Sequence, residues 1–191
     1  MKARWLIAIL TLALPALAGA HPGHDSSAGL IAGIVHPLFG VDHLLAMFAV
    51  GAWAARMKGC LRWQVPMSFM TLLLVGYNVS MTGPLLGAVE QGIAASVVVL
   101  GMLVATTVRL PALFCVAITG CFALLHGFAH GAELPSQANP FLYISGFTLS
   151  STALLAGGFV LASSLIRHQR STSLRWIGAA LTAGGCLMLV S

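Results

Sequence analysis

Residues 29–55 read GLIAGIVHPLFGVDHLLAMFAVGAWAA, an apolar run interrupted at 36–43 by HPLFGVDH. A helix of about 20 apolar residues crosses the hydrocarbon core of a bilayer, so this run is long enough to span. Inside it lie two histidines, an aspartate, a proline and a glycine. An aspartate at the centre of a membrane helix costs about 2.5–3.5 kcal/mol and normally faces a protein interior, where it serves a function. The stretch therefore sets two expectations: an all-α membrane bundle, and a polar site inside it.

Composition points the same way. The 191 residues are 59% hydrophobic and 7% charged, with a mean hydropathy of +0.97, whereas soluble domains carry about 25% charged residues. The length admits one domain of several spans. The net charge of +5 does not indicate nucleic acid, because Lys and Arg sit at span ends and in short loops, with no basic patch among aromatics. Lys2 and Arg4, the apolar segment 5–14 and Ala18-Gly19-Ala20 have the layout of a secretory signal. Cleavage after Ala20 would separate a signal, 1–20, from a single transmembrane domain, 21–191, that begins HPGHDSS; an uncleaved first helix is the alternative. Cys60, Cys115, Cys121 and Cys186 have no metal-binding spacing, imply no disulfide framework and read as small packing residues.

Six mature spans are predicted, near 28–56, 66–83, 87–108, 111–130, 140–166 and 174–190. Pro66, Pro111 and Pro140 fall at or near first turns, where a missing N–H costs nothing. Asn139 is a suitable N-cap for the fifth span. With the mature N-terminus outside, the inner loops and adjoining span ends hold Arg56, Lys58, Arg62, Arg109, Arg167, Arg170 and Arg175, and the outer segments hold no Lys or Arg. That bias is what positive-inside sorting produces. Asp25, Glu90 and Glu133 lie on the outer side, and of the histidines only His168 falls in a basic inner loop. Gly29 with Gly33, and Ala180 with Gly184, have the small-x3-small spacing of close helix packing.

The polar residues form two octets. In HPLFGVDH, His36, Gly40 and His43 share one face of a continuous helix, and Asp42 lies about 100° away. Pro37 cannot donate to the carbonyl of Gly33, so a kink is expected there. A carbonyl freed at membrane depth needs a partner, which a cavity with water or a cation supplies. The alternative is a kinked packing helix whose histidine and aspartate satisfy each other. In HGFAHGAE, 126–133, His126, His130 and Glu133 recur at i, i+4, i+7 near the outer surface. Imidazole with carboxylate suits nickel, cobalt or zinc; an ordinary polar helix end is the alternative, and His126 fits packing or a supporting hydrogen bond. Glu90 opens the third span in VEQGIAAS, either as a helix-dipole partner or as a further ligand on the same side. His21 and His24 are candidates for metal capture outside, and Tyr77 and Asn78 for hydrogen bonds between helices. The octets lie on the first and fourth spans, which run in opposite directions, as in transporters built from inverted three-helix halves around a central site.

His36-Pro37-x-x-Gly40-x-Asp42-His43, after a signal and HPGH, resembles the signature of the HupE/UreJ family of nickel permeases. The likeness extends through VEQGIAAS and HGFAHGAE, nearly the whole chain from His21, with no departure at the ligand positions. It implies a secondary permease that brings Ni2+, in some members Co2+, into bacterial cells for hydrogenase or urease maturation.

Read this way, His21 and His24 gather the cation, Glu90, His130 and Glu133 form an outer vestibule, and His36, Asp42 and His43 form a deeper site, with His126 as a further candidate ligand. Staggered weak sites let an ion leave as well as enter. The expected partners are a divalent metal ion, as substrate, and the lipid bilayer of the inner membrane, with no prosthetic group and no nucleic acid. No Walker A sequence is present. Two other classes compete. A membrane-embedded metalloenzyme would need a general base apart from the ligands, and there is no HExxH. A b-type cytochrome would need opposed histidine pairs deep in facing helices.

Overall fold

The computed structural model describes residues 26–82, 87–106 and 108–190. The signal segment, His21, His24 and Asp25 lie outside the described residues. Those described form α-helices and no strand: α1 (Ser26–Phe39), α2 (Val41–Ala54), α3 (Leu61–Ser80), α4 (Val89–Ala105), α5 (Ala112–Ala132), α6 (Pro140–Arg167) and α7 (Ser171–Val190). The chain is a polytopic helical bundle. By length and composition α5, α6 and α7 can each cross a membrane, and α1 with α2 qualify together as a broken span or a re-entrant loop. Helix α4 is apolar but shorter, and α3 opens on the polar turn Leu-Arg-Trp-Gln.

The first span bends by 78°, but not where proline predicts. The helix continues through Pro37 to Phe39 and breaks at Gly40, which is extended (φ −72°, ψ 99°). The Gly40 N–H still reaches the His36 carbonyl at 3.1 Å, and the Leu44 N–H reaches the Gly40 carbonyl at 2.9 Å. Pro66 also departs from expectation, since α3 begins at Leu61 and carries this proline in its interior. Pro140 and Asn139 behave as read: proline opens α6, and the Asn139 side chain accepts from the Phe141 and Leu142 N–H groups at 2.9 and 3.2 Å.

Glycine decides which helices touch. Backbones approach closely where no Cβ intervenes, the usual device between helices that lack a hydrophobic drive to associate in lipid. A Cβ on Gly51 would meet the Leu155 carbonyl, and one on Gly158 the Phe48 carbonyl, so α2 and α6 pack reciprocally. Gly127 meets Leu73 and Gly76 meets Leu124 in the same way between α5 and α3. Between α4 and α7 the reciprocal pair is Gly101 and Gly178. The α7 interface therefore runs along Leu174, Gly178, Leu181 and Gly185 rather than Ala180 and Gly184, whose nearest contact is a Leu45 methyl at 3.6 Å.

Taking α1 and α2 together, that unit pairs with α6, α3 pairs with α5, and α4 pairs with α7. Exchanging the two halves of the chain, α1–α4 with α5–α7, leaves this pairing unchanged. Gly51 and Phe48 then correspond to Gly127 and Leu124, and Gly76 and Leu73 to Gly158 and Leu155. By that correspondence His126 and His130 match Val50 and Ala54, so the two polar octets are not equivalent positions.

Tyr77 bonds between helices, its hydroxyl donating to the Pro140 carbonyl at 3.2 Å. Asn78 does not: its amide donates to Leu74 on its own helix and is exposed. All four cysteines are free, and only Cys115 is buried.

Adding a methyl where backbones touch forces the helices apart, a cost of about 1–3 kcal/mol. We expect Gly127→Ala to lower the melting temperature of purified protein by several degrees. Gly157→Ala, where a Cβ meets nothing within 4 Å, should leave it unchanged.

Candidate metal site

The site forms where the broken first span meets the end of α5. His36 sits on the last turn of α1, His43 on the first turn of α2, and His126 and His130 on the last two turns of α5; Glu133 caps that helix. Because the chain breaks at Gly40, His36 and His43 no longer share one face of a continuous helix. The bend brings them together instead, with ring centroids 6.5 Å apart. His130 stands between them, 4.8 Å from the His36 ring and 4.1 Å from the His43 ring. His126 lies 4.7 Å from His43 on the far side.

Among the described residues, one group has the spacing of metal ligands. One donor atom each from His36, His130 and Glu133 fall within 4.8 Å of one another. His36 Nε2 and Glu133 Oε2 are 2.9 Å apart. That bond holds the Glu133 carboxyl below its usual range, against the opposing effect of partial burial. Glu133 is exposed, His36 half-buried and His130 fully buried, so the group leads from the surface inward.

Deeper in, His43 and His126 each have a polar partner. Asp42 Oδ1 accepts from the backbone N–H of His43 at 2.8 Å and from its ring Nδ1 at 2.7 Å. Gly40 permits this fold-back: a Cβ there would lie 3.2 Å from His43 Nδ1 and 3.4 Å from Asp42 Oδ1. Asp42 thus orients His43 and stands outside the group that approaches ligand spacing. His126 Nε2 is 2.9 Å from the hydroxyl of Ser96 on α4. The rings pack against Phe147 (3.9 Å from His130), Tyr143 (6.0 Å from His36) and Phe69 (6.1 Å from His126).

The grouping differs from the sequence reading. His36 joins His130 and Glu133 rather than Asp42 and His43. Glu90 lies at the same end of the bundle, where Val89 and Ile93 pack with Phe128 and Ala129. It is exposed and outside the ligand group. Ser96, Phe69, Tyr143 and Phe147 were not anticipated. Ser96 carried a faint signal, as the hydroxyl ending VEQGIAAS.

The family model described as HupE / UreJ protein matches residues 8–188. The chain belongs to the HupE/UreJ family. That family is associated in general with nickel and cobalt transport linked to hydrogenase and urease. Protein HupE of Rhizobium leguminosarum bv. viciae is 38% identical over 182 residues, 95% of each chain. No solved structure matches. Membership agrees with the membrane bundle and makes the chain a transport protein in outline.

The His36 bond is the largest influence lowering the Glu133 carboxyl's titration midpoint, so removing it should raise that midpoint. We expect His36→Ala to move the Glu133 carboxylate band, followed by infrared spectroscopy against pH, toward the ordinary glutamate range. A midpoint that stays low would mean that His36 is not its cause.

Proposed function

We propose that this protein is a secondary permease that carries Ni2+, with Co2+ as a chemically equivalent cargo, inward across the bacterial inner membrane. The metal would supply the maturation of enzymes such as hydrogenase or urease. The observation that carries this reading is the convergence of His36, His130 and Glu133 within 4.8 Å at an outward-leading end of a membrane bundle. Two imidazoles and a carboxylate suit borderline divalent ions. A cation entering between His36 and Glu133 takes the place of the proton they share, and the carboxylate offsets part of its charge.

Orientation follows from the basic residues. Arg56, Lys58 and Arg109 line a common cavity, and Arg56 donates to the Val104 carbonyl at the C-terminal end of α4. Glu90, at the N-terminal end of α4, and Glu133 mark the opposite end. Positive-inside sorting then sets Glu133 in the periplasm and the basic cavity in the cytoplasm. Glu90 would attract cations to the entrance, with His21 and His24 gathering them from the mature N-terminus. Past the histidines, α2 buries Ala46, Met47 and Val50 and α5 buries Ala123. An ion passes this apolar layer only when the two halves rearrange, the usual behaviour of inverted-repeat carriers.

Labelled nickel accumulation in cells without their own nickel uptake tests the reading. Expression of this protein should raise accumulation well above empty vector. Glu133→Gln and His130→Ala, at equal expression, should each lower it by about tenfold or more, the scale on which metal sites respond to loss of a partner. Accumulation no greater than empty vector overturns the proposal.

A further inference from the structure

We propose that the basic end of the bundle holds one anionic phospholipid by its phosphodiester group, in the cavity between the α2–α3 corner and the α4–α5 connection. The inference does not depend on the permease reading and needs only the membrane bundle. The cavity measures about 400 Å³ and is lined by Arg56 and Lys58 from the corner and by Arg109 from the connection. That volume falls in the range of small-ligand sites, roughly 300–1,000 Å³. Arg175, near the start of α7, stands close enough to Arg56 to repel it.

Among the described residues no carboxylate neutralises these charges. Both ion pairs there, His36 with Glu133 and His43 with Asp42, belong to the histidine cluster. Asp42 opens α2, Glu90 opens α4 and Glu133 closes α5, so each sits at the far end of a helix that leads to this cavity. Like charges gathered without a counter-charge repel one another, and a bound anion removes that repulsion. The same lining repels a divalent cation, so the cavity is no extension of the histidine cluster. Arg56 donates through Nη1 to the Val104 carbonyl at 2.9 Å, and its guanidinium has further N–H donors in a fork that matches phosphate oxygens. Cys115, on the first turn of α5, also lines the cavity, and the positive end of that helix adds to the attraction.

The rest of the lining favours a lipid over a free anion. Trp53, Leu61 and Val108 complete the walls with apolar surface, and Val108 is exposed. Inorganic phosphate gains nothing from such surface, whereas the first methylenes of an acyl chain bury against it. Helices α2 and α4 end and α3 and α5 begin around the cavity, which sets it at the level of lipid head groups. Basic pockets between membrane helices at that level take anionic head groups. One phosphate bridging Arg56 and Lys58 to Arg109 ties the α2–α3 corner to the α4–α5 connection.

Native mass spectrometry of the purified full-length protein in non-ionic detergent, titrated with phosphatidylglycerol or phosphatidylcholine, tests the site. Phosphatidylcholine is the neutral comparison, because its choline cancels the phosphate charge. One phosphatidylglycerol should bind in preference to it by about tenfold or more. Lys58→Gln and Arg109→Gln, both at exposed positions, should each weaken phosphatidylglycerol binding by about fivefold and leave phosphatidylcholine unaffected. Arg170→Gln, which removes a cation at the same end but outside the lining, should change neither. Equal binding of the two lipids overturns the proposal, and that comparison needs no variant. Binding that survives both Lys58→Gln and Arg109→Gln undiminished overturns it as well. So does equal weakening by Arg170→Gln, because the attraction is then spread over the whole basic end. Displacement of the lipid by millimolar inorganic phosphate assigns the cavity to a free anion and overturns the lipid. The permease reading stands in every case.

Discussion

The break at Gly40 is the constraint on which the site depends. A straight helix through residues 29–54 would carry His36 and His43 along one face at different depths and turn Asp42 aside. The 78° bend instead lets one span contribute twice. His36 closes α1 near the surface, and His43 opens α2 inside the bundle with Asp42 folded back onto its ring. Glycine there leaves space rather than unusual backbone freedom: a Cβ would lie 3.2 Å from His43 Nδ1 and 3.4 Å from Asp42 Oδ1. Pro37 has no N–H to donate to the Gly33 carbonyl, and the helix ends at Phe39, with Gly40 extended between the two halves of the bend.

Holding four imidazoles together inside a membrane protein is costly, and the glycine contacts supply the rigidity that makes it sustainable. Gly127 lies one residue beyond His126, and Gly131 one beyond His130. Both press against α3 backbone or side-chain atoms. The residues that fix the position of α5 thus alternate with those that carry its chemistry. Gly33 does the same for His36 by meeting Tyr143 and Phe147 of α6, the two residues whose rings also border the histidines. A substitution at any of these glycines would move the neighbouring histidines as well as loosen a helix pair.

The scaffold is close to two-fold in its pairing, and the site is not. Positions equivalent to His126 and His130 are Val50 and Ala54, both in the core. The equivalent of His43 is Thr119, which spends its hydroxyl on its own helix. The symmetric pairing gives two packed halves, and one polar set lies at their meeting point, toward one end. The similarity of the two octets in composition suggests repetition, but the glycine correspondence shows that each belongs to a different part of its half.

Composition, span length and the placement of Lys and Arg were enough, in the sequence alone, to establish a helical membrane bundle, because insertion into lipid depends on side-chain hydropathy residue by residue. The N-cap at Asn139 and the family signature were legible for the same reason: they are local. The residues of the candidate site stood out as well, since histidine and carboxylate in an apolar run are conspicuous wherever they fall. How those residues group was decided only by tertiary structure. A periodicity argument assumes an unbroken helix, so it could not join His36 to His130 and Glu133 across two elements, nor turn Asp42 onto His43. Ser96 and the rings of Phe69, Tyr143 and Phe147 were hidden for a related reason. Serine and aromatics are ordinary in a membrane helix, and only contact with an imidazole from another helix gives them a part in the site.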